Sequence, residues 1–278
     1  MLSRQNGTRV EAVAPFYFSD MLTLLAESKT MSGTQLPQTA ETLESHRPVF
    51  EDTADELMNY LSTLTPAQIS EKLGVSAQLG IKARNLAYDF PHKSMGYPAL
   101  TAFTGEAFRG LEADTLPEEA IDRANEDLKF ISSVYGLLNA DDIIKPYRME
   151  FNKPIFPDNK TSIQTYKPKI TTSLAKLIKN NKINDIIDLL PNDADKCIDW
   201  KIIRAFTKVH KVVFQVMGQD GKFKTPIAKR LKELRGLMAR IILMENIESF
   251  KQLTEVENDQ FIFSPELSKP GLPVFISD

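Results

Sequence analysis

The sequence predicts a single α+β domain, a mixed β-sheet flanked by helices, and three observations carry that reading. Apolar runs of strand length recur at 21–26, 183–190 and 209–217, each closed by polar or turn residues. Other stretches place apolar residues three and four apart, as a helix burying one face does. No internal repeat and no long linker divides the 278 residues, which suffice for a sizeable core.

Residues 1–20 fit poorly with the rest of the chain and read as an N-terminal extension, with Met21 a possible natural start and 21–278 the domain. The run Met21-Leu22-Thr23-Leu24-Leu25-Ala26 is the first strand. A Ser/Thr/Gln/Pro-rich loop comes next over 31–39, then acidic helical sequence from Glu51 to Leu61 with Leu57, Tyr60 and Leu61 apolar. The spacing of Leu128, Ile131, Val134, Tyr135 and Leu138 predicts one helix over 118–138. Helical periodicity returns at 170–181. The run 183–190 is a strand stopped by Pro191-Asn192-Asp193, and 209–217 is a β-branched strand. Its end, Gly218-Gln219-Asp220-Gly221, is a hairpin turn into Lys222-Phe223-Lys224. An amphipathic helix then runs over about 226–246.

Residues 65–88 read as two short helices around a tight turn. Thr65 is a good N-cap, and Pro66 suits the first helical position, where its missing N–H costs nothing. Ile69 and Leu73 make one apolar face. Gly74 stops the helix because glycine accepts a left-handed cap without a Cβ clash. Ser76 caps the second helix, with Leu79, Ala83 and Leu86 as its matching face. The pattern resembles the helix-hairpin-helix of DNA-binding proteins, in which the turn and the second helix's free N–H groups hold a phosphate; Lys82 and Arg84 stand nearby. An ordinary αα-hairpin gives the same pattern.

A net charge of −3 hides segregation. Residues 145–182 hold nine basic and two acidic side chains, and 200–240 hold 11 and two. The acidic surplus lies elsewhere. Two basic blocks in an acidic chain suit a cleft that grips a polyanion, or merely solvated lysine faces. No apolar run approaches bilayer length, and no secretory h-region is visible. The single cysteine, Cys197, excludes an internal disulfide framework and fits a reducing cytoplasm. His46, His92 and His210 lack metal-ligand spacing, and no Walker, GxGxxG or GxSxG motif occurs. No cofactor or metal is therefore expected.

Lys29 and Thr30 come just after a strand end, where α/β sheets present polar groups to ligands. Arg148 and Glu150, two apart in extended sequence, share a face, and Arg148 offers a fork of donors to phosphate or to a structural carboxylate. On the late helix Lys229, Lys232 and Arg235 form a basic stripe, with Arg240 five residues on. Gly236 costs about 1 kcal/mol there in helix propensity, which points to close approach of a backbone or ligand. Asp185, Asp188, Asp193, Asp195 and Asp199 more readily cap turns than capture iron.

Several separated segments together resemble one family, the YaaA peroxide-stress proteins. Met21–Leu25 leading to Ser28-Lys29-Thr30 is similar to its opening strand and Ser-Pro-Ala-Lys-Thr loop. Ala102-Phe103-Thr104-Gly105-Glu106-Ala107-Phe108-Arg109-Gly110-Leu111 is similar to Ala-Phe-x-Gly-Asp-x-Tyr-x-Gly-Leu. Ser133-Val134-Tyr135-Gly136-Leu137-Leu138 and Pro146-Tyr147-Arg148-Met149-Glu150 resemble Gly-Leu-Tyr-Gly-Val-Leu and Pro-Tyr-Arg-Leu-Glu-Met. Arg235-Gly236-Leu237-Met238-Ala239-Arg240 resembles Arg-Gly-Leu-Met-x-Arg. Two motifs depart: Phe-Trp-Gly-Asp is Thr165-Tyr166-Lys167-Pro168, and Asn-x-Ala-Ser-x-Glu-Tyr falls in the altered stretch 188–195. The loop also lacks its proline, having Glu27-Ser28-Lys29.

The resemblance implies a cytoplasmic peroxide-stress protein that limits iron-driven damage. It also implies a positive cleft and a helix-hairpin-helix that bind double-stranded or distorted DNA, with no membrane partner and the oligomeric state left open. The alternative is an enzyme acting on a nucleotide or another phosphorylated small molecule in that cleft.

Overall fold

The first strand, β1 (Met21–Ala26), is buried along its whole length, as a continuous apolar run must be when helices cover both faces of a parallel sheet. The structure, a computed structural model, describes residues 20–32, 46–92 and 96–277. The predicted extension 1–20, save Asp20, and most of the predicted loop 31–39 lie outside the described residues.

After β1 come α1 (Glu51–Ser62), α2 (Pro66–Leu73), α3 (Ala77–Asp89), β2 (Tyr97–Pro98), α4 (Ala99–Ala102), α5 (Glu106–Leu111) and α6 (Glu118–Asp127). Next are β3 (Leu128–Ser132), β4 (Gly136–Asn139), β5 (Ile143–Ile144), α7 (Ser162–Asn181), β6 (Asp185–Asp188), α8 (Asn192–Asp195) and α9 (Trp200–Ile203). The chain ends with β7 (Lys208–Lys211), β8 (Val213–Met217), β9 (Phe223–Lys224), α10 (Ala228–Met244), α11 (Phe250–Glu255), β10 (Phe261–Lys269) and β11 (Leu272–Ser277).

The main sheet has the order β4-β3-β1-β6-β7. The pairings of β3, β1, β6 and β7 are parallel and β4 is antiparallel. A second, mixed sheet has the order β10-β11-β8-β9, and β2 pairs with β5. From β1 the chain leaves for β3 on one side, and from β6 it leaves for β7 on the other. The carboxyl ends of β1 and β6 are thus a topological switch point, the place where open parallel sheets leave a crevice.

Two predicted elements are different in the structure. The helix expected over 118–138 is α6 followed by the hairpin β3–β4. Leu128, Phe130 and Ile131 are fully buried in a strand covered on both faces, so a continuous apolar run imitated helical spacing. Gly136, at φ 72°, makes the turn. The strand expected over 209–217 breaks at Val212, whose N–H bonds to the Asp188 carbonyl at 3.0 Å. Its first half, β7, closes the main sheet, and its second, β8, pairs with β11. The helix expected at 170–181 begins earlier, at Ser162, under a capping box from Thr161 and Gln164. The Gly218–Gly221 turn joins β8 to β9 as expected.

In the 65–88 segment, Thr65 and Gln68 form a capping box, Gly74 takes the left-handed conformation at φ 65°, and Ser76 caps α3. The buried face of α3 is rotated from that expected: Gly80, Ala83 and Ala87 are buried, while Leu79 and Leu86 are half-buried. The reason is close crossing, since a Cβ at Gly80 would strike Ser70 and the Pro66 carbonyl.

Candidate functional site

A cavity of about 420 Å³ opens at the switch point. Its floor is the end of β1, Leu25, Ala26 and Glu27, continued by Ser28, Lys29 and Thr30. Thr104 to Arg109 form one wall, Leu189, Pro191 and Asp193 after β6 another, and Phe151, Lys232 and Arg235 complete it. The lining is of mixed sign, with four basic and three acidic side chains among these residues.

Two glycine contacts shape the cavity. Gly105 admits the β1 loop, because a Cβ there would run into the Ser28 side chain. Gly236 lets α10 touch α5, because a Cβ would drive into the Ala107 carbonyl, and Gly110 answers it against the Glu233 carbonyl. The backbone approach that Gly236 predicts is therefore this helix crossing, which carries Lys232 and Arg235 to the cavity.

Of the predicted basic residues, Lys29, Thr30, Lys232 and Arg235 meet here. The Lys29 ammonium is engaged by Glu150 at 2.6 Å, and Arg148 donates to the Lys29 carbonyl at 3.1 Å. Arg148 and Glu150 do share a face, and that face braces the Lys29 loop. Thr30 receives support from Ser28, whose Oγ accepts from the Thr30 N–H at 3.2 Å. Lys232 and Arg235 have no hydrogen-bond or ion-pair partner among the described residues. Burial holds the Arg235 guanidinium below its ordinary pKa, and Asp188 and Asp193 only partly offset this.

Other predicted residues fall elsewhere. Arg240 donates to the carbonyls of Leu111 and Glu112, both at 3.0 Å, closing the end of α5. Lys229 is exposed and outside the cavity lining. Lys82 is exposed on α3, and Arg84 lies over the Tyr88 ring at 4.6 Å. Ser76 spends its hydroxyl on the Leu79 N–H at 3.4 Å. Gly74 is bordered by the Lys153 ammonium, 2.9 Å from where a Cβ would stand. Of the α7 lysines in the first basic block, Lys167, Lys176 and Lys179 line a different groove, and Lys169 donates to the Thr53 hydroxyl at 2.7 Å.

Sequence reasoning missed Glu27, Glu106 and Arg109 as site residues and read Asp193, which also lines the cavity, as a turn cap. Arg109 pairs with Glu106 at 3.0 Å. Glu27 is the most distinctive of them. Its carboxylate accepts from the Ser133 N–H at 2.8 Å, the Ser133 hydroxyl at 2.5 Å and the Tyr147 hydroxyl. Desolvation nevertheless pushes its pKa up to about 7, because the hydrogen bonds offset burial only in part. The available signal was its place: a carboxylate directly after a strand of five apolar residues and one threonine, at the strand's carboxyl end.

Among the described residues no group of three His, Cys, Asp or Glu side chains is arranged to hold a metal. His46 pairs with Asp141 at 3.0 Å and His210 with Asp185 at 2.7 Å. Cys197 is buried, its thiol pushed up to about 12. No helix of the described residues is long and apolar enough to cross a membrane.

The same segments that build the cavity are matched in known proteins. A UPF0246 protein of Shewanella sp. strain ANA-3 is 30% identical over 265 residues, covering 93% of this chain and 99% of the relative. A UPF0246 protein of Francisella philomiragia is 29% identical over 233 residues, covering 82% and 90%. The family profile described as "Peroxide stress protein YaaA" matches residues 21–267, from the strand under the cavity floor to within the last hairpin. With its switch-point loop, its Gly110–Gly236 crossing and its arginine-bearing late helix all inside that match, the chain belongs to the peroxide stress protein YaaA family.

Proposed function

We propose that this family member acts in peroxide stress by holding DNA, double-stranded or distorted, through its phosphates, so that iron-driven damage to the strand is limited. One observation carries the reading: residues 150–160 join the cavity mouth to the turn between α2 and α3. Glu150 holds Lys29, Phe151 lines the cavity, the Lys153 ammonium borders Gly74, and Lys72 of α2 reaches back to the Pro154 carbonyl and Asn159, each at 3.2 Å. Arg235 and Lys232, Lys29 with Arg148, Lys153 and the start of α3 therefore form one path along which a phosphate backbone finds cations and helix N–H groups. The helix-hairpin-helix reading of 65–88 belongs to this path.

Phosphate contacts give weak sequence preference and steep salt dependence. Fluorescence anisotropy with duplex, bulged and single-stranded oligonucleotides across a salt series tests it. The expected result is submicromolar binding with log K falling linearly against log salt, and a shallower slope for the Lys232→Ala/Arg235→Ala double variant. Equal binding by that variant, or none by the native chain at low salt, overturns the reading.

A second reading, an enzyme acting on a phosphorylated small molecule, is favoured by the cavity itself, since about 420 Å³ is within the usual range for small-ligand sites.

A further inference from the structure

Arg235 and Glu27 are both anomalous, and they line the same cavity. Arg235 is a part-buried cation with no direct hydrogen bond or ion pair among the described residues, and the charges of Asp188 and Asp193 offset its desolvation only in part, an arrangement that an anion in the cavity would complete. Glu27 is a desolvated carboxylate held by Ser133 and Tyr147. Leu25, Phe108, Phe151 and Leu189 give the same cavity apolar lining. A ligand that satisfies all three needs an anionic end, an apolar body and a polar atom able to meet a carboxyl group.

We propose that the cavity takes one nucleotide-sized aromatic phosphate, its phosphate on Lys232 and Arg235 and its apolar body on the Phe108–Phe151 wall, and that Glu27 takes up a proton from solvent as the anion binds. The inference rests on the reading that Arg235 accepts phosphate. It adds the class of ligand and a proton linkage. The shared chemistry is a phosphomonoester on a nucleoside, supplied either as a free mononucleotide or as the phosphorylated end of a strand.

The linkage arises from charge. An ionised Glu27 adds a negative charge to the pocket that must hold the anion, whereas the neutral acid adds none and gains a donor. Anion binding therefore favours the protonated form, and affinity falls as pH rises through about 7. The groups that act on Glu27 itself do not titrate in that range, whereas Asp188, which acts on Arg235 by charge and is raised by burial to about 6, titrates at its lower edge. Burial raises Tyr147 and Tyr166 far above neutrality, and Cys197 to about 12, while Ser132 and Ser133 contribute hydroxyls. Lys29, on the same loop, is occupied by Glu150. Glu27 and Ser133 also both fall where the chain departs from the motifs it resembles, in the loop without its proline and at the place of a glycine.

The test is isothermal titration of the full chain between pH 6 and 8 with adenosine 5′-monophosphate and, separately, with sulfate. The monophosphate itself gains charge near pH 6, which works in the opposite direction, so sulfate gives the clean sign. Sulfate is expected to compete with the nucleotide and to bind about tenfold more weakly at pH 8 than at pH 6, one pH unit of linkage being tenfold. Glu27→Gln flattens the part of that dependence above about pH 7, where Asp188 is already ionised. Tyr147→Phe, which removes a hydrogen bond to the ionised form, moves its midpoint upward. A 5′-phosphorylated oligonucleotide compared with its 5′-hydroxyl form shows whether a strand end is the source. An unchanged slope in Glu27→Gln overturns the proton linkage, and absence of binding by both mononucleotide and strand end overturns the site. Loss of duplex binding with mononucleotide binding retained overturns the DNA reading alone.

Discussion

The two halves of α10 carry arginines five residues apart that have opposite circumstances. Arg240 spends its guanidinium on the last carbonyls of α5, at 3.0 Å each, and lies within 3.9 Å of the Glu112 carboxylate. Those carbonyls end a helix and have no intrahelical partner, so the arginine serves as their cap. Arg235 turns to the cavity and makes no direct hydrogen bond or ion pair among the described residues, only Asp188 and Asp193 acting on it by charge. One helix therefore holds an open receptor in its first half and a clamp in its second. A cation that structure already satisfies is spent on stability, whereas a desolvated cation left open marks where a ligand's charge is expected.

The largest expected effect falls on the pivot between the halves. Gly236→Val forces a side chain into the Ala107 carbonyl, where neither helix can yield because Gly110 meets the Glu233 carbonyl on the same crossing. The variant is expected to lose at least about 3 kcal/mol, read as a lower urea midpoint at unchanged slope, and to lose anion binding with it. A stable variant that still binds would show that clamp and receptor do not depend on this crossing.

The next effect separates the receptor from the clamp by pH. Glu27 titrates near 7 in the folded chain and near its ordinary 4.5 when unfolded, so the folded state binds its proton more tightly. That contribution to stability is complete below about pH 4.5 and is lost as pH rises through about 7, at most about 3 kcal/mol. Asp142 and Asp188, raised by burial to about 6, slope the same way. Urea unfolding from pH 4.5 to 8 is expected to show falling stability, with the Glu27 share removed in Glu27→Gln and kept in Arg240→Ala. A Glu27→Gln profile parallel to the native one would place that carboxyl in ordinary solvent.

The sequence made the elements legible where local chemistry decides them. Thr65, Gly74 and Ser76 sit where caps require them, and the apolar run of β1 is buried as parallel strands are. It misled where burial on both faces erased the period, as at Leu128–Ser132, and at Val212, where only the partner strands decide that one run serves two sheets. The site divided in the same way. Lys232 and Arg235 could be read from spacing along a helix. Glu27 could not be weighed without Ser133 and Tyr147, 106 and 120 residues away. Nor can spacing distinguish Arg235 from Arg240, because the end of α5 that satisfies one of them is set by tertiary packing.

The smallest effect distinguishes them most sharply. Arg240→Ala removes two charge-assisted hydrogen bonds and orphans two carbonyls, for about 2 kcal/mol of stability, with duplex and mononucleotide affinity unchanged. Arg235→Ala removes a desolvated charge that makes no direct hydrogen bond or ion pair and that Asp188 and Asp193 offset only in part, so stability is expected to stay within about 0.5 kcal/mol or to rise. Affinity for phosphate is expected to fall about tenfold or more, about 1.4 kcal/mol. Urea melts and anisotropy on the two single variants, side by side, check both halves of the comparison. If Arg235→Ala costs as much stability as Arg240→Ala and leaves affinity intact, then Arg235 is a second clamp. The cavity would then lose the cation on which the phosphate reading depends.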